Sequence, residues 1–237
     1  MRCQDIGFYY VDRKYGIPIQ QGTQIDRAKH AMMRCNCVTE AFFKRTIPAE
    51  FYPAILNDLK PFWDGRDGYQ DVRKYAEILS AIKVSPMADY LICGSYGVGK
   101  SHLGWSLWRY GVEHSRKSFY FTAIDLLEQY RAEDFAWKKD EEAPKAEVTA
   151  TDIRNDRSYY TIVIDEFDSP SVTQYQAQKM SELINTIYEC SDRVQLVVIS
   201  NFKPDQLLDK WSNNGGAYGA KIMRRINHLC TYVDLFR

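Results

Sequence analysis

The run Gly94-Ser95-Tyr96-Gly97-Val98-Gly99-Lys100-Ser101 constrains this chain more than any other stretch. It fits G-x-x-x-x-G-K-[ST], a loop whose glycines let successive backbone N–H groups turn inward around a phosphate. In that pattern Lys100 reaches the terminal phosphate oxygens and the Ser101 hydroxyl ligates Mg²⁺, with Ser95, Tyr96, Val98 and His102 completing the binding segment. The apolar Tyr90-Leu91-Ile92-Cys93 before the loop predicts a buried strand. Leu103, Leu107 and Tyr110 after it predict an amphipathic helix whose N-terminal dipole favours the same anion. Strand, loop and helix in that order predict an α/β nucleotide-binding fold.

The 237 residues suffice for one such core and a small appendage. Lysine plus arginine and aspartate plus glutamate both number 31, so a nucleic-acid surface would have to be a local patch. A hydrophobic content of 45% excludes a disordered chain. No apolar run approaches the ~20 residues of a membrane span, and the N-terminus lacks a signal-peptide core. Six cysteines, scattered except for Cys35-Asn36-Cys37, do not form a secreted disulfide framework. The expected location is the cytoplasm.

A second apolar run, Tyr159-Tyr160-Thr161-Ile162-Val163-Ile164, leads into Asp165-Glu166-Phe167. Two acids at the end of a buried strand are costly unless they meet a cation or a reacting group. Downstream of a phosphate loop, Asp165 is expected to hold Mg²⁺ and Glu166 to polarise the attacking water as general base. A third run, Val194 to Asn201, ends at the same sheet edge, where Asn201 would sense the terminal phosphate or orient that water, or else open the turn Phe202-Lys203-Pro204. Arg224-Arg225, on a predicted helix, suit a transition-state contact to a neighbouring subunit's nucleotide, or else form a basic surface pair. Other expected elements are a strand over 118–122, helices over 123–131 and 174–190, and a last strand near Tyr232. Residues 132–157 form the most polar part of the chain, and Lys138 and Lys139 within it, with Arg131 just before it, are candidate DNA phosphate contacts.

Residues 1–46 read as a separate head, joined at Pro48 to a main domain over 47–237 with a reduced or absent lid. Within it, Asp5-Ile6-Gly7-Phe8-Tyr9-Tyr10 predicts a strand, and a helix-like stretch ends in His30-Ala31-Met32-Met33-Arg34-Cys35-Asn36-Cys37. Cys3, His30, Cys35 and Cys37 are either a tetrahedral Zn²⁺ set or free thiols beside a surface histidine. Arg27, Lys29, Arg34, Lys44 and Arg45, interleaved with Phe42 and Phe43, suit nucleic acid, an acidic partner or a solvated helix face. Helical periodicity is expected over 51–59 and again over 68–82.

In this order the elements resemble the AAA+ ATPases of the DnaC/IstB type, the replicative helicase loaders and their transposition relatives. The resemblance covers nearly the whole chain. Gly94 to Ser101 matches the family's Walker A, Ile162 to Glu166 its Walker B, and Val197 to Asn201 with Lys203-Pro204 its sensor-1 strand. Phe121-Thr122-Ala123 with Leu126-Leu127 is similar to the segment after its second strand, and Met223-Arg224-Arg225-Ile226 to its arginine-finger helix, with Arg225 the better match. Cys3 and Cys35-Asn36-Cys37 look like the cysteine-bearing head of DnaC-like loaders, although that head opens with C-x-x-C where only Cys3 stands here. The resemblance implies a three-layer α/β/α P-loop fold of the AAA+ (ASCE) class with a parallel sheet. It implies ATP and Mg²⁺ bound between subunits of a ring or open spiral, with hydrolysis stimulated by DNA or a partner. It further implies that the protein loads a replicative ring helicase on single-stranded DNA, the head docking the helicase.

Three other readings share these residues. The same engine could serve as an IstB-like regulator that assembles on DNA and directs a transposase, though the cysteine-bearing head favours the loader. A small-molecule P-loop kinase would exclude water rather than activate it, so Asp165-Glu166 and Asn201 stand against it. A binding adaptor with a slow ATPase timer would keep the same catalytic set.

Overall fold

The computed structural model describes residues 8–12, 30–34, 36–59, 69–139, 147–168 and 172–236. The chain divides into two compact units, Met1–Pro53 and Ala54–Arg237. In the first, strand β1 (Phe8–Asp12) pairs antiparallel with β2 (His30–Arg34), Phe8 opposite Arg34 and Asp12 opposite His30. Helix α1 (Asn36–Thr46) follows. The helix-like reading of the stretch from His30 is therefore corrected: Ala31, Met32 and Met33 favour helix locally, but the aromatic β1 supplies a pairing edge that overrides propensity. Within this unit Tyr52 donates to the Glu40 carboxylate and Lys44 lies 5.9 Å from the Tyr52 ring centre.

The expected helix over 51–59 is likewise absent. Turns and a short 3₁₀ segment, Leu56–Asp58, stand there. Pro53 explains this, because it lacks an N–H and keeps the residue before it out of the helical region.

The second unit opens with α2 (Tyr69–Val84) and β3 (Tyr90–Gly94), followed by α3 (Lys100–Glu113) and β4 (Lys117–Thr122). Next come α4 (Ala123–Lys139), α5 (Ala150–Asn155), β5 (Tyr160–Asp165) and α6 (Gln174–Glu189). The chain continues through β6 (Val194–Ser200), α7 (Pro204–Gly215), α8 (Ala217–Leu229) and β7 (Thr231–Leu235). Helix α4 outruns the expected end at Arg131, so Lys138 and Lys139 belong to it rather than to a polar loop.

Five strands form one parallel sheet in the order β4-β5-β6-β3-β7. Strands β3, β5 and β6 are buried along their whole length, which is why each reads as a continuous apolar run instead of an alternating one. Their side chains still alternate in direction. Ile162, Ile164, Leu196, Val198, Leu91 and Cys93 share one cluster with residues of α4, α6, α7 and α8. The opposite face is covered by α3, whose Gly104 and Gly111 lie against Ile199 and Thr161. The result is the expected three-layer α/β/α arrangement. Thr173 and Gln176 form a capping box that starts α6, and Thr149 and Asp152 do the same for α5.

Helices α7 and α8 meet more closely than side chains allow. A Cβ on Gly219 would lie 1.9 Å from the Trp211 carbonyl oxygen, a backbone atom that cannot yield. Gly219→Ala therefore has to part the two helices and disturb Trp211, whose ring stacks on Phe167 at 4.6 Å. We expect a loss at or above the top of the overpacking range of about 1–3 kcal/mol, read as a lower midpoint in denaturant unfolding.

Candidate nucleotide site

The loop after β3 bends through two left-handed glycines, Gly97 (φ 75°) and Gly99 (φ 88°), the second capping the start of α3. This geometry favours glycine and explains the spacing of the motif. Lys100 is buried, and its Nζ donates to the Gly94 carbonyl (3.0 Å), the Ser95 carbonyl (2.8 Å) and Asn201 Oδ1 (2.8 Å). All three ammonium donors are thus engaged. Burial lowers the Lys100 pKa, while Asp165 and Asp168 pull it back up. Tyr96 projects from the loop, 79% exposed, with its ring centre 5.9 Å from Lys100 Nζ.

Sheet order explains how distant residues meet. Because β6 lies between β3 and β5, Asn201 at its end stands between the loop and the acids Asp165 and Glu166. Asp165 is buried, and its two oxygens accept from the Tyr120 hydroxyl (2.5 Å) and the Glu166 N–H (2.7 Å). Ser101 neighbours the same phenol and lowers its pKa, so the two expected Mg²⁺ ligands lie close to one another beside Tyr120. A hydroxyl and a carboxylate are hard oxygen donors, and their convergence fits Mg²⁺ completed by water and phosphate. Among the described residues no group of three or more His, Cys, Asp and Glu is arranged to hold a metal by itself.

Glu166 is exposed and adopts φ 52°, a conformation that costs a non-glycine residue about 1–2 kcal/mol. The reversal lets the chain leave β5 sharply, so that the Phe167 N–H reaches the Ile199 carbonyl (2.9 Å) and Asp168 turns inward. Partial burial, then Asp165, Asp168 and Asp125, raise the Glu166 pKa, the direction that suits a general base.

Asp168 was not legible as a site residue. It is buried and accepts from Ser200 Oγ (2.9 Å), the Asn201 N–H (2.7 Å) and Asn201 Nδ2 (3.2 Å). A lysine on one side and a carboxylate on the other fix the Asn201 amide, oxygen toward Lys100 and nitrogen toward Asp168. The sequence signal was the extra acid in Asp165-Glu166-Phe167-Asp168. Tyr120 carried no signal beyond its place on a strand.

The other candidates lie apart from this cluster or outside description. Arg225 on α8 donates from Nε to Asn185 Oδ1 (3.2 Å) and stacks 4.1 Å from the Tyr188 ring centre, which ties it to α6 of its own chain. Arg224 is exposed and has no partner among the described residues. Arg131 pairs with Glu128 (3.5 Å) on α4. Cys3 and Cys35 lie outside the described residues; His30 is described in β2 and Cys37 in α1, as backbone only. No described helix is long and apolar enough to cross a membrane.

The fold is shared with solved structures of DNA-replication proteins. The crystal structure of the DnaC helicase loader aligns at a TM-score of 0.55 and 16% identity, over 79% of this chain and 99% of that one. DnaI aligns at 0.54 and 15%, over 80% of this chain and 94% of that chain. The replication initiator DnaA bound to AMPPCP and single-stranded DNA aligns at 0.52 and 19%, over 80% of this chain and 50% of DnaA. A scan against protein-family models finds no match, and neither does a search of curated protein sequences. At these identities the likeness shows the fold alone, the architecture shared with the DnaC and DnaI structures.

Proposed function

We propose that this chain binds and hydrolyses ATP and loads a replicative ring helicase on single-stranded DNA. The observation that supports the chemistry best is the convergence of Lys100, Asn201, Asp165 and Glu166 at one edge of three adjacent strands. The loader role draws on the near-complete coverage of the DnaC and DnaI structures. In this reading Lys100 exchanges its two loop carbonyls for phosphate oxygens. Asn201 stays beside it and reports the terminal phosphate, and Glu166 takes a proton from the attacking water. Bound Mg²⁺, held by Ser101 and Asp165, supplies charge neutralisation at the phosphates. The N-terminal unit docks the helicase. The protein self-associates through its ATP sites, and DNA or the partner stimulates turnover.

Arg225 would complete the site of the neighbouring subunit, for which it must leave Tyr188 and Asn185. Arg225→Ala is expected to lower hydrolysis at saturating ATP, with partial rescue on mixing with Glu166→Gln protein through hybrid interfaces. It should also cost about 1 kcal/mol of stability from the lost ring contact and hydrogen bond. A larger turnover defect in Arg224→Ala, without rescue of Arg225→Ala, transfers the role to the exposed neighbour.

The test of the whole reading is a pull-down of purified protein with ring helicases, with and without ATP, followed by the mass of the complex. A stoichiometric ATP-dependent complex is expected. ATP-dependent filaments on DNA with no helicase bound would instead support a transposition regulator.

A further inference from the structure

Tyr120 sits in a slot between Trp105 of α3 and the end of β5. Its ring lies flat on Trp105 of α3, with centres 3.8 Å apart and planes 2° from parallel. Gly104 lets α3 come close to β6: a Cβ there would stand 2.4 Å from the end of the Ile199 side chain and in ordinary contact, 3.4 Å, with the phenol oxygen. Tyr120 is paired in register with Val163, which puts Asp165 at the diagonal position on the same face. From there the hydroxyl donates to Asp165 Oδ2 at 2.5 Å, with Ser101 as its neighbour on α3. The Glu166 N–H holds the other carboxylate oxygen at 2.7 Å. One donor on each oxygen fixes the plane of the carboxylate, and each oxygen keeps lone-pair capacity for a cation or its waters.

We propose that Tyr120 is a positioning residue for the divalent cation: its hydroxyl, held by the Trp105 stack, orients Asp165 and Ser101 as a pair. A phenylalanine would pack the slot equally well, so the polar atom is what the packing does not require. Outer-shell donors of this kind set the rotamer of a metal ligand and change cation affinity more than they change stability. The inference rests on the nucleotide-site reading of the loop and adds a residue to it.

The experiment measures binding of a fluorescent ATP analogue to the full chain, first in EDTA and then across a Mg²⁺ titration, for wild type, Tyr120→Phe and Trp105→Phe. In Tyr120→Phe the Mg²⁺ midpoint should rise about tenfold, the lower end of what loss of an outer-shell hydrogen bond costs. Affinity in EDTA and the thermal midpoint should stay close to wild type. Trp105→Phe, which thins the stack and keeps the hydroxyl, should move the Mg²⁺ midpoint less than twofold. An unchanged or lowered midpoint in Tyr120→Phe overturns the proposal, as does an equal loss of affinity with and without Mg²⁺. Failure of the wild type to bind the analogue under any condition would instead remove the nucleotide reading itself.

Discussion

Replacing Glu166 by glutamine is expected to lower kcat by about 10²–10⁴-fold, the usual contribution of a general base, while ATP affinity stays within a few-fold. The side chain is exposed at the end of β5, and glutamine preserves its shape without its basicity. The nearby acids cannot easily take over: Asp168 is buried and spends its oxygens on Ser200 and Asn201, and Asp165 spends one on Tyr120 and one on the Glu166 N–H. Phosphate release in a single turnover, set beside equilibrium nucleotide binding, checks the split. Near-normal turnover would move the base elsewhere. Glu166→Gly sharpens the test. At φ 52° glycine relieves strain worth about 1 kcal/mol, so this variant should gain stability and lose turnover together. Such an opposition would mark the reversal after β5 as strain retained for chemistry.

What the sequence disclosed follows from how local each signal was. The loop from Gly94 to Ser101 is contiguous, and so is the strand that ends in Asp165-Glu166; both carry their chemistry and their context within ten residues. Asn201 needed only a third apolar run of the right length. Asp168 and Tyr120 act across strands. Tyr120 meets Asp165 only because β4 pairs with β5 in one register, and a slip of one residue would turn the phenol to the other face. Asp168 meets Asn201 only because Glu166 reverses the backbone between them. Arg225 shows the converse: a position on the helix was legible, but its ring contact with Tyr188 comes from the packing of α8 on α6. Near the N-terminus, pairing between β1 and β2 overrode local helix preference, and no window shorter than their separation contains that information.

Asp168→Asn is expected to damage stability and site geometry together. The carboxylate accepts three hydrogen bonds at 5% exposure, and an amide at the same place has one oxygen and an NH₂ group. Ser200 can rotate its hydroxyl to accept from that NH₂, but the Asn201 backbone N–H cannot change role. If the new oxygen serves that N–H, the NH₂ faces Ser200 or the Asn201 side-chain NH₂, and the Asn201 amide loses the partner that fixed it. Breaking a buried charged network of this kind costs about 3–5 kcal/mol, visible as a lower denaturation midpoint. The Asn201 amide is then free to turn, and Lys100 loses the acceptor held 2.8 Å away. A double-mutant cycle separates the two effects. If Asp168 acts on Lys100 through Asn201, then Asp168→Asn in an Asn201→Ala background should add little further loss of nucleotide affinity, giving a coupling within about 0.5–3 kcal/mol. Additive losses would mean that Asp168 supports the fold alone and that Lys100 is positioned by the Gly94 and Ser95 carbonyls without help from the sheet edge.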